Sequence, residues 1–218
     1  MKLLSVNVGT PHTYDWLGQT VTTSIFKSPI EGDVHVSQLN LAGDQQSDLT
    51  VHGGTDKAVY VYPHEHYAYW TERGLGPLTM GNFGENLTIH GLLESGIHIG
   101  DELEIGSARF AVTQPRLPCY KLQVRFNLPE MTKLFYQTRR FGFYLKVLRE
   151  GSLVAGDPIT FAKRDENTVS VAQLIGLYTG DLHDDDVLER VLRVPALPIG
   201  WRDDLQHRLA RRHGASAS

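Results

Sequence analysis

The chain has 218 residues, of which 41% are hydrophobic, 21% charged and 9% aromatic, the composition of a folded globular protein with room for a sizeable core. Its formal charge of −4 leaves no basic excess to match a run of phosphates, which argues against polymeric nucleic acid as the main ligand, although a small anion needs only a local patch. No apolar run approaches the roughly 20 residues that cross a bilayer, and the opening MKLLSVNVGT has one lysine and no long apolar stretch, so no membrane partner is expected and the expected location is the cytoplasm.

From residue 2 to about 163 the apolar residues come in short β-branched runs: LLSVNV, TVTTSIF, VHVSQL, AVYVYP, NLTIHG, HIGDELEIG, ARFAVTQ and PITFA. Gly, Asp, Asn and Pro separate them, the pattern of many short strands joined by turns in a barrel or folded sheet. Two helices interrupt it. One runs from His64 to Arg73 after Pro63, the other from Pro129 to about Arg139, where Met131, Leu134 and Phe135 share one face as core residues. The fold class is therefore α+β and predominantly β.

Beyond about Arg164 the pattern changes to three short helices, VSVAQLIGLYTG, DDDVLERVLRV and PIGWRDDLQHRLA, with breaks at Gly180 and Pro198. Ser170 suits the N-cap of the first, and the acids Asp184 to Asp186 suit the positive start of the second. The division expected is a β-rich domain over 1–163, a three-helix extension over 164–213 and a disordered tail over 214–218, where the sequence reads GASAS. Trp201 and the arginines of the extension suit either a partner surface or the outside of a packed bundle.

Four segments carry candidate chemistry. QPRLPCYKL holds the only cysteine, which excludes an internal disulfide and every multi-cysteine zinc pattern. Pro115 and Pro118 stiffen the loop around Cys119, and Arg116 and Lys121 add positive potential that favours thiolate. VHGGTDK offers a glycine turn, Gly53 and Gly54, whose N–H groups and the nearby Lys57 suit a phosphate. The histidines His52, His64 and His66 do not form a zinc motif, since HEHY places the two helical ones on different faces. MGNFGENLTIHG brings Glu85 and Asn86 to the start of a strand, where they could hydrogen-bond a heterocycle. LAGDQQSDLTVHGG places Asp44 and Asp48 just ahead of the histidine. Neither a phosphate-binding P-loop nor a dinucleotide fingerprint is present.

Together, LNLAGDQQSDLTVHGGTDKAVYVYPHEHYAYW, NFGENLT and QPRLPCYKL resemble the molybdenum cofactor sulfurase C-terminal (MOSC) domain, in its YiiM-like bacterial subgroup, over about residues 1 to 163, and the helical tail resembles the extension of that subgroup. The resemblance implies a barrel-like core and aligns Cys119 with the cysteine that ligates molybdenum in the reductase members. One thiolate suffices there, because the pterin dithiolene supplies the remaining sulfurs. It also implies a molybdenum–molybdopterin cofactor surrounded by His52, Gly53, Gly54, Asp56, Lys57, Glu85, Asn86, Gln114, Arg116 and Lys121. Lys57 and Arg116 would contact phosphate or pterin, Asn86 and Gln114 the pterin edges, and Asp44 would handle substrate or fix a loop. The implied activity is reduction of N-hydroxylated compounds, N-hydroxylated purines and related bases included, to amines. With no iron–sulfur, flavin or nicotinamide signature, electrons would come from a separate reductase, and a homodimer is compatible with the sequence. Two alternatives stay open: a sulfur carrier or transferase holding a persulfide on Cys119, and a pterin-cofactor carrier or sensor without turnover.

Overall fold

The computed structural model describes residues 1–47 and 53–215. Asp48 and His52 lie outside the described residues. Twelve strands occupy the first three quarters of the described chain: β1 (Lys2–Val8), β2 (His12–Trp16), β3 (Gln19–Thr23), β4 (Ser28–Ile30), β5 (Val34–Val36), β6 (Val59–Pro63), β7 (Leu87–His90), β8 (Glu102–Ile105), β9 (Ala108–Pro115), β10 (Phe143–Arg149), β11 (Gly151–Leu153) and β12 (Ile159–Lys163). Helix α1 (Glu65–Glu72) follows β6, α2 (Lys121–Phe126) and α3 (Met131–Thr138) lie between β9 and β10, and α4 (Val171–Thr179), α5 (Asp185–Leu192) and α6 (Ile199–Ala215) end the chain.

The main sheet has eight strands in the order β12-β8-β9-β10-β6-β7-β1-β4, with β2–β3 and β5–β11 as two small separate pairs. Every ladder in it is antiparallel except β6–β7, and α1 lies in the crossover that a parallel pair requires. The expected barrel is not closed. The start of β1 approaches the start of β12 through an isolated bridge, Lys2 with Pro158, and through Leu3 N–H donating to the Asp157 carbonyl at 2.9 Å, but no ladder runs between those edges. Strand alternation explains the burial: in β10, Phe143, Leu145 and Val147 point into the core while Tyr144 and Lys146 are half-exposed.

An aromatic cluster fills the space between the sheet and α1 and α3. Trp70 and Phe135 stack at 5.7 Å, and the Trp70 indole N–H donates to the Tyr62 hydroxyl at 2.8 Å, so the buried polar tips are satisfied. Met131 and Phe135 are fully buried as the helical spacing requires, but Leu134 is 36% exposed, at the margin of the face expected to bury it.

The helical tail forms as read. Ser170 accepts from the Gln173 N–H at 3.1 Å and the Gln173 side chain accepts from the Ser170 N–H at 2.9 Å, a capping box; Asp184 caps α5. Gly180 ends α4 at φ 80°. Helix α6 continues to Ala215, so Gly214 and Ala215 of the expected disordered tail are helical, and 216–218 lie outside the described residues. The tail packs into the same hydrophobic core as the sheet, through Leu174, Leu188 and Leu205 among others. Among the described residues, no helix is long and apolar enough to cross a membrane.

Candidate functional site

Strand β9 ends at Pro115, which pairs with Phe143 of β10, and the Arg116 N–H donates to the Gly142 carbonyl at 3.2 Å. The chain then turns through Leu117 and Pro118 to Cys119 and enters α2 at once. The Cys119 carbonyl is held from two sides, by the Leu122 N–H at 3.1 Å and by the Thr132 hydroxyl at 3.2 Å. These bonds anchor both ends of the loop, which leaves Cys119 half-buried.

Two cavities share a wall formed by Lys57, Cys119 and Tyr144. The narrower, of ≈ 80 Å³, is reached by Ser24, Lys27, Asp44, Asn86, Arg116 and Lys121. The wider, of ≈ 580 Å³, lies at the seam between the sheet and the helical tail, with Gly53, Gly54, Asp56, Gln114, Tyr178 and Trp201 in its wall. The cations gather on the narrow side, whereas the wide side has Asp56 and Asp204 beside Lys57.

Arg116 is central. Its guanidinium lies 3.8 Å from Cys119 Sγ through Nη2 and sits over the rings of Tyr60 and Phe135, at 5.4 and 5.7 Å from their centroids. Burial alone would lower its pKa, but Cys119 and the neighbouring tyrosines raise it above the ordinary value. Its Nη1 is buried with no hydrogen-bond partner, and so is the Ser24 hydroxyl on the same cavity. Burial raises the Tyr144 hydroxyl above its usual value, with Arg116 opposing, so Tyr144 stays neutral. Burial lowers the pKa of Lys57 and of Lys27, the latter despite its ion pair with Asp44.

The structure brings Asp44, Lys57, Asn86, Arg116, Cys119 and Lys121 to the narrow cavity, and Gly53, Gly54, Asp56 and Gln114 to the wide one. Several are engaged within the chain. Asp44 pairs with Lys27 and accepts from the Gly9 N–H at 2.8 Å and from the Asn86 amide at 2.8 Å. Asn86 also accepts from the Tyr60 N–H at 3.1 Å. Gln114 donates to the Asp56 carbonyl at 3.3 Å and accepts from the Trp201 indole at 2.7 Å. Glu85 is fully buried behind the cavities, accepting from the Tyr67 and Thr88 hydroxyls and from the Gly81 and Phe83 N–H groups, which locks the FGEN turn. Gly53 and Gly54 lead into a 3-10 turn, Thr55–Lys57, rather than directly into a strand. His66 pairs with the buried Glu94 at 2.9 Å and His64 is exposed. Among the described residues, no group of three or more His, Cys, Asp or Glu could hold a metal ion.

Tyr144, Ser24, Lys27 and Trp201 also line these cavities and were not singled out by the sequence motifs. Tyr144 lies on β10, whose FYLKVLR mixes apolar and basic residues, and Ser24 and Lys27 lie in and just after the TVTTSIF run, which reads only as a strand.

Residues 48–160, more than half of the chain, match the MOSC domain, and residues 169–212 match the YiiM-like 3-alpha helix domain. YflK of Bacillus subtilis (strain 168) is 40% identical over 92% of this chain and 91% of its own, and YiiM of Escherichia coli (strain K12) is 34% identical over 85% and 84%. A longer protein of Gibberella moniliformis (strain M3125 / FGSC 7600) named as a reductase is 34% identical over 68% of this chain, which spans 27% of that relative. The crystal structure of YiiM from Geobacillus stearothermophilus superposes with a TM-score of 0.79 at 36% identity, covering 95% of this chain and 98% of that one. By sequence and by fold, then, the chain belongs to the MOSC-domain family, in the YiiM-like group that carries a three-helix extension.

Proposed function

We propose that the protein is a molybdenum-cofactor-dependent reductase that converts N-hydroxylated compounds, N-hydroxylated purines and related bases among them, to the amines. Membership of the MOSC family and the reductase name of the Gibberella relative support oxidoreductase activity in general. The observation that carries the finer reading is local: a guanidinium that touches the lone thiol with one nitrogen and leaves the other buried without a partner, beside an equally orphaned Ser24 hydroxyl. An unpaired buried donor is costly, about 1–3 kcal/mol and more when charged, and an anionic ligand placed there relieves it.

The donor set suits the phosphorylated end of a molybdopterin: Arg116 Nη1 and Ser24 Oγ are orphaned donors, and Lys57 and Lys121 supply charge. The ≈ 80 Å³ of the narrow cavity admits a phosphate-sized group but not a whole pterin, so the fit rests on donor chemistry. Cys119 Sγ would be the protein ligand to molybdenum. When bound, the cofactor supplies a two-electron metal centre able to accept the oxygen of an N–O bond. The chain's own residues do the rest. Arg116 favours the thiolate of Cys119 by its charge. Lys27 neutralises Asp44, and Asp44 in turn fixes Asn86 and the Gly9 backbone, so that acid holds the cavity wall. Tyr60 and Phe135 cover the guanidinium and exclude water from its face. The overall conversion takes an N–OH group, two electrons and two protons to N–H and water, with the electrons delivered by a separate reductase in the cytoplasm.

Protein produced in hosts with and without molybdenum-cofactor synthesis, supplied with a chemical reductant and an N-hydroxylated purine, tests this. Turnover is expected only from the cofactor-competent host and is lost in Cys119→Ala. Turnover without the cofactor would sink the reading. So would protein that gains an added sulfur on Cys119 and never molybdenum, which would make it a sulfur carrier.

A further inference from the structure

Glu94 and His66 form a buried pair, 6% and 7% exposed, and neither reaches either cavity. Burying two charges costs desolvation that offsets their attraction, so such a pair is weak grounds for stability by itself, and what it holds in place matters more. Glu94 lies in the connection between β7 and β8 and joins three elements. Its Oε1 and Oε2 lie 3.0 and 2.9 Å from His66 Nε2 on α1. Oε1 also accepts from the Gly142 N–H at 2.8 Å, just ahead of β10. Its backbone carbonyl accepts from the Ala172 N–H of α4 at 3.0 Å, which ties the helical extension to the same point.

Both ends of Arg116 rest on the corner formed by Phe141 and Gly142. The Gly142 carbonyl accepts from the Arg116 N–H at 3.2 Å and fixes its backbone. The Phe141 carbonyl accepts from the Tyr60 hydroxyl at 2.9 Å, and the Tyr60 ring lies 5.4 Å from the guanidinium carbon. That guanidinium is the group 3.8 Å from Cys119 Sγ. A chain of buried contacts therefore runs from His66 through Glu94 and the corner to the sulfur.

We propose that Glu94 is a positioning residue for Cys119: with His66 orienting its carboxylate, it holds the Phe141–Gly142 corner where that corner lays the Arg116 guanidinium beside the sulfur. Without the carboxylate the Gly142 N–H is buried and lacks its acceptor, which drives the corner to shift. Arg116 then moves off Cys119 although no residue of either cavity has changed. The consequence for catalysis rests on the reductase reading, in which the same sulfur is the molybdenum ligand; the placement of the guanidinium does not.

Cofactor-free protein is alkylated with iodoacetate and with iodoacetamide at one pH, and the ratio of the two rates is taken at the chain's single cysteine. Both reagents react with the thiolate, so the ratio cancels the ionisation of the sulfur and reads the positive field beside it. Arg116→Leu sets the ratio of a thiol without its guanidinium, and the native chain should favour iodoacetate over that reference. Glu94→Leu should lower the native ratio by about threefold or more, and His66→Leu should lower it in the same direction. Glu94→Gln, which keeps an acceptor for the Gly142 N–H, should retain it. Lost stability alone leaves the ratio of a folded variant unchanged, so circular dichroism checks each fold; if Glu94→Leu does not fold, His66→Leu carries the test.

The proposal is overturned if either leucine variant at Glu94 or His66 folds and keeps the native ratio, if Glu94→Gln loses the ratio as Glu94→Leu does, or if Arg116→Leu leaves it untouched. The reductase reading fails by a different result: cofactor-loaded native protein that shows the expected ratio before loading yet never reduces an N-hydroxylated base.

Discussion

The single cysteine was conspicuous because prolines and cations surround it, and the structure adds the reason those neighbours matter. Arg116 is buried against the sulfur rather than lying on the surface. The polar residues around it were readable as a group but not in their roles, because a side chain's type does not reveal whether the chain itself will use its hydrogen bonds. Glu85 and Asn86 show this: chemistry suited to a heterocycle edge is spent instead on the Gly81–Phe83 turn and on Tyr60 and Asp44. The Lys27–Asp44 pair is nearly inaccessible, with side chains 8% and 1% exposed. Lys27→Met leaves that carboxylate buried without its counter-charge, and urea denaturation should show a loss of about 3–5 kcal/mol. Glu94 gives a pH prediction. Burial pushes its carboxyl up, but the hydrogen bond and charge of His66 and the Gly142 N–H outweigh this and hold it below its ordinary 4.5. As pH falls past 4.5 the unfolded chain therefore takes up this proton first. The stability contributed by the ionised group is full above that pH and is lost as pH falls through the folded value. Denaturation midpoints measured against pH should flatten in that acid range in Glu94→Gln.

Elements with a single strong signal were legible. Strands β1, β6, β7 and β9 are β-branched runs bounded by turn residues, and α4 and α5 announce themselves by Ser170 and Asp184. Strand β10 was not, because its outward positions Tyr144 and Leu148 are apolar as well and blur the alternation, although it pairs with both β6 and β9 at the middle of the sheet. Helix α2 was hidden because the prolines ahead of Cys119 read as a stiff loop, and a six-residue helix is too short to show a face. The turn into β10 is the most exacting local feature. Gly142 has φ +67°, and a Cβ there would come within 2.3 Å of the Val61 carbonyl oxygen, a backbone atom that cannot step aside. Its carbonyl also accepts from Arg116. Gly142→Ala should cost more than about 2 kcal/mol in denaturant titration, because a left-handed conformation and a backbone clash add. By contrast, Ser170→Ala removes one cap and should cost about 1 kcal/mol.

Over the whole molecule, composition and strand pattern pointed to a folded sheet with a helical tail, and both are present. The degree of closure was not legible, since it depends on long-range pairing of β4, β12 and β1, which leaves no local mark. Nor was the seam: Trp201 suited a partner surface as well as a packed one until Gln114 was found holding its indole. Trp201→Phe should leave the buried Gln114 oxygen without that donor and cost about 1–3 kcal/mol in thermal or urea unfolding. The extension thereby lines the wide cavity through Tyr178 and Trp201, and Cys119 lies on the wall that cavity shares with the narrower, cation-lined one. The most direct measurement is X-ray absorption at the molybdenum edge, on protein from a cofactor-competent host, for the native chain and Cys119→Ser. If Cys119 is the ligand, the native protein shows one more sulfur neighbour to molybdenum than the variant. An identical sulfur shell in the two would contradict it.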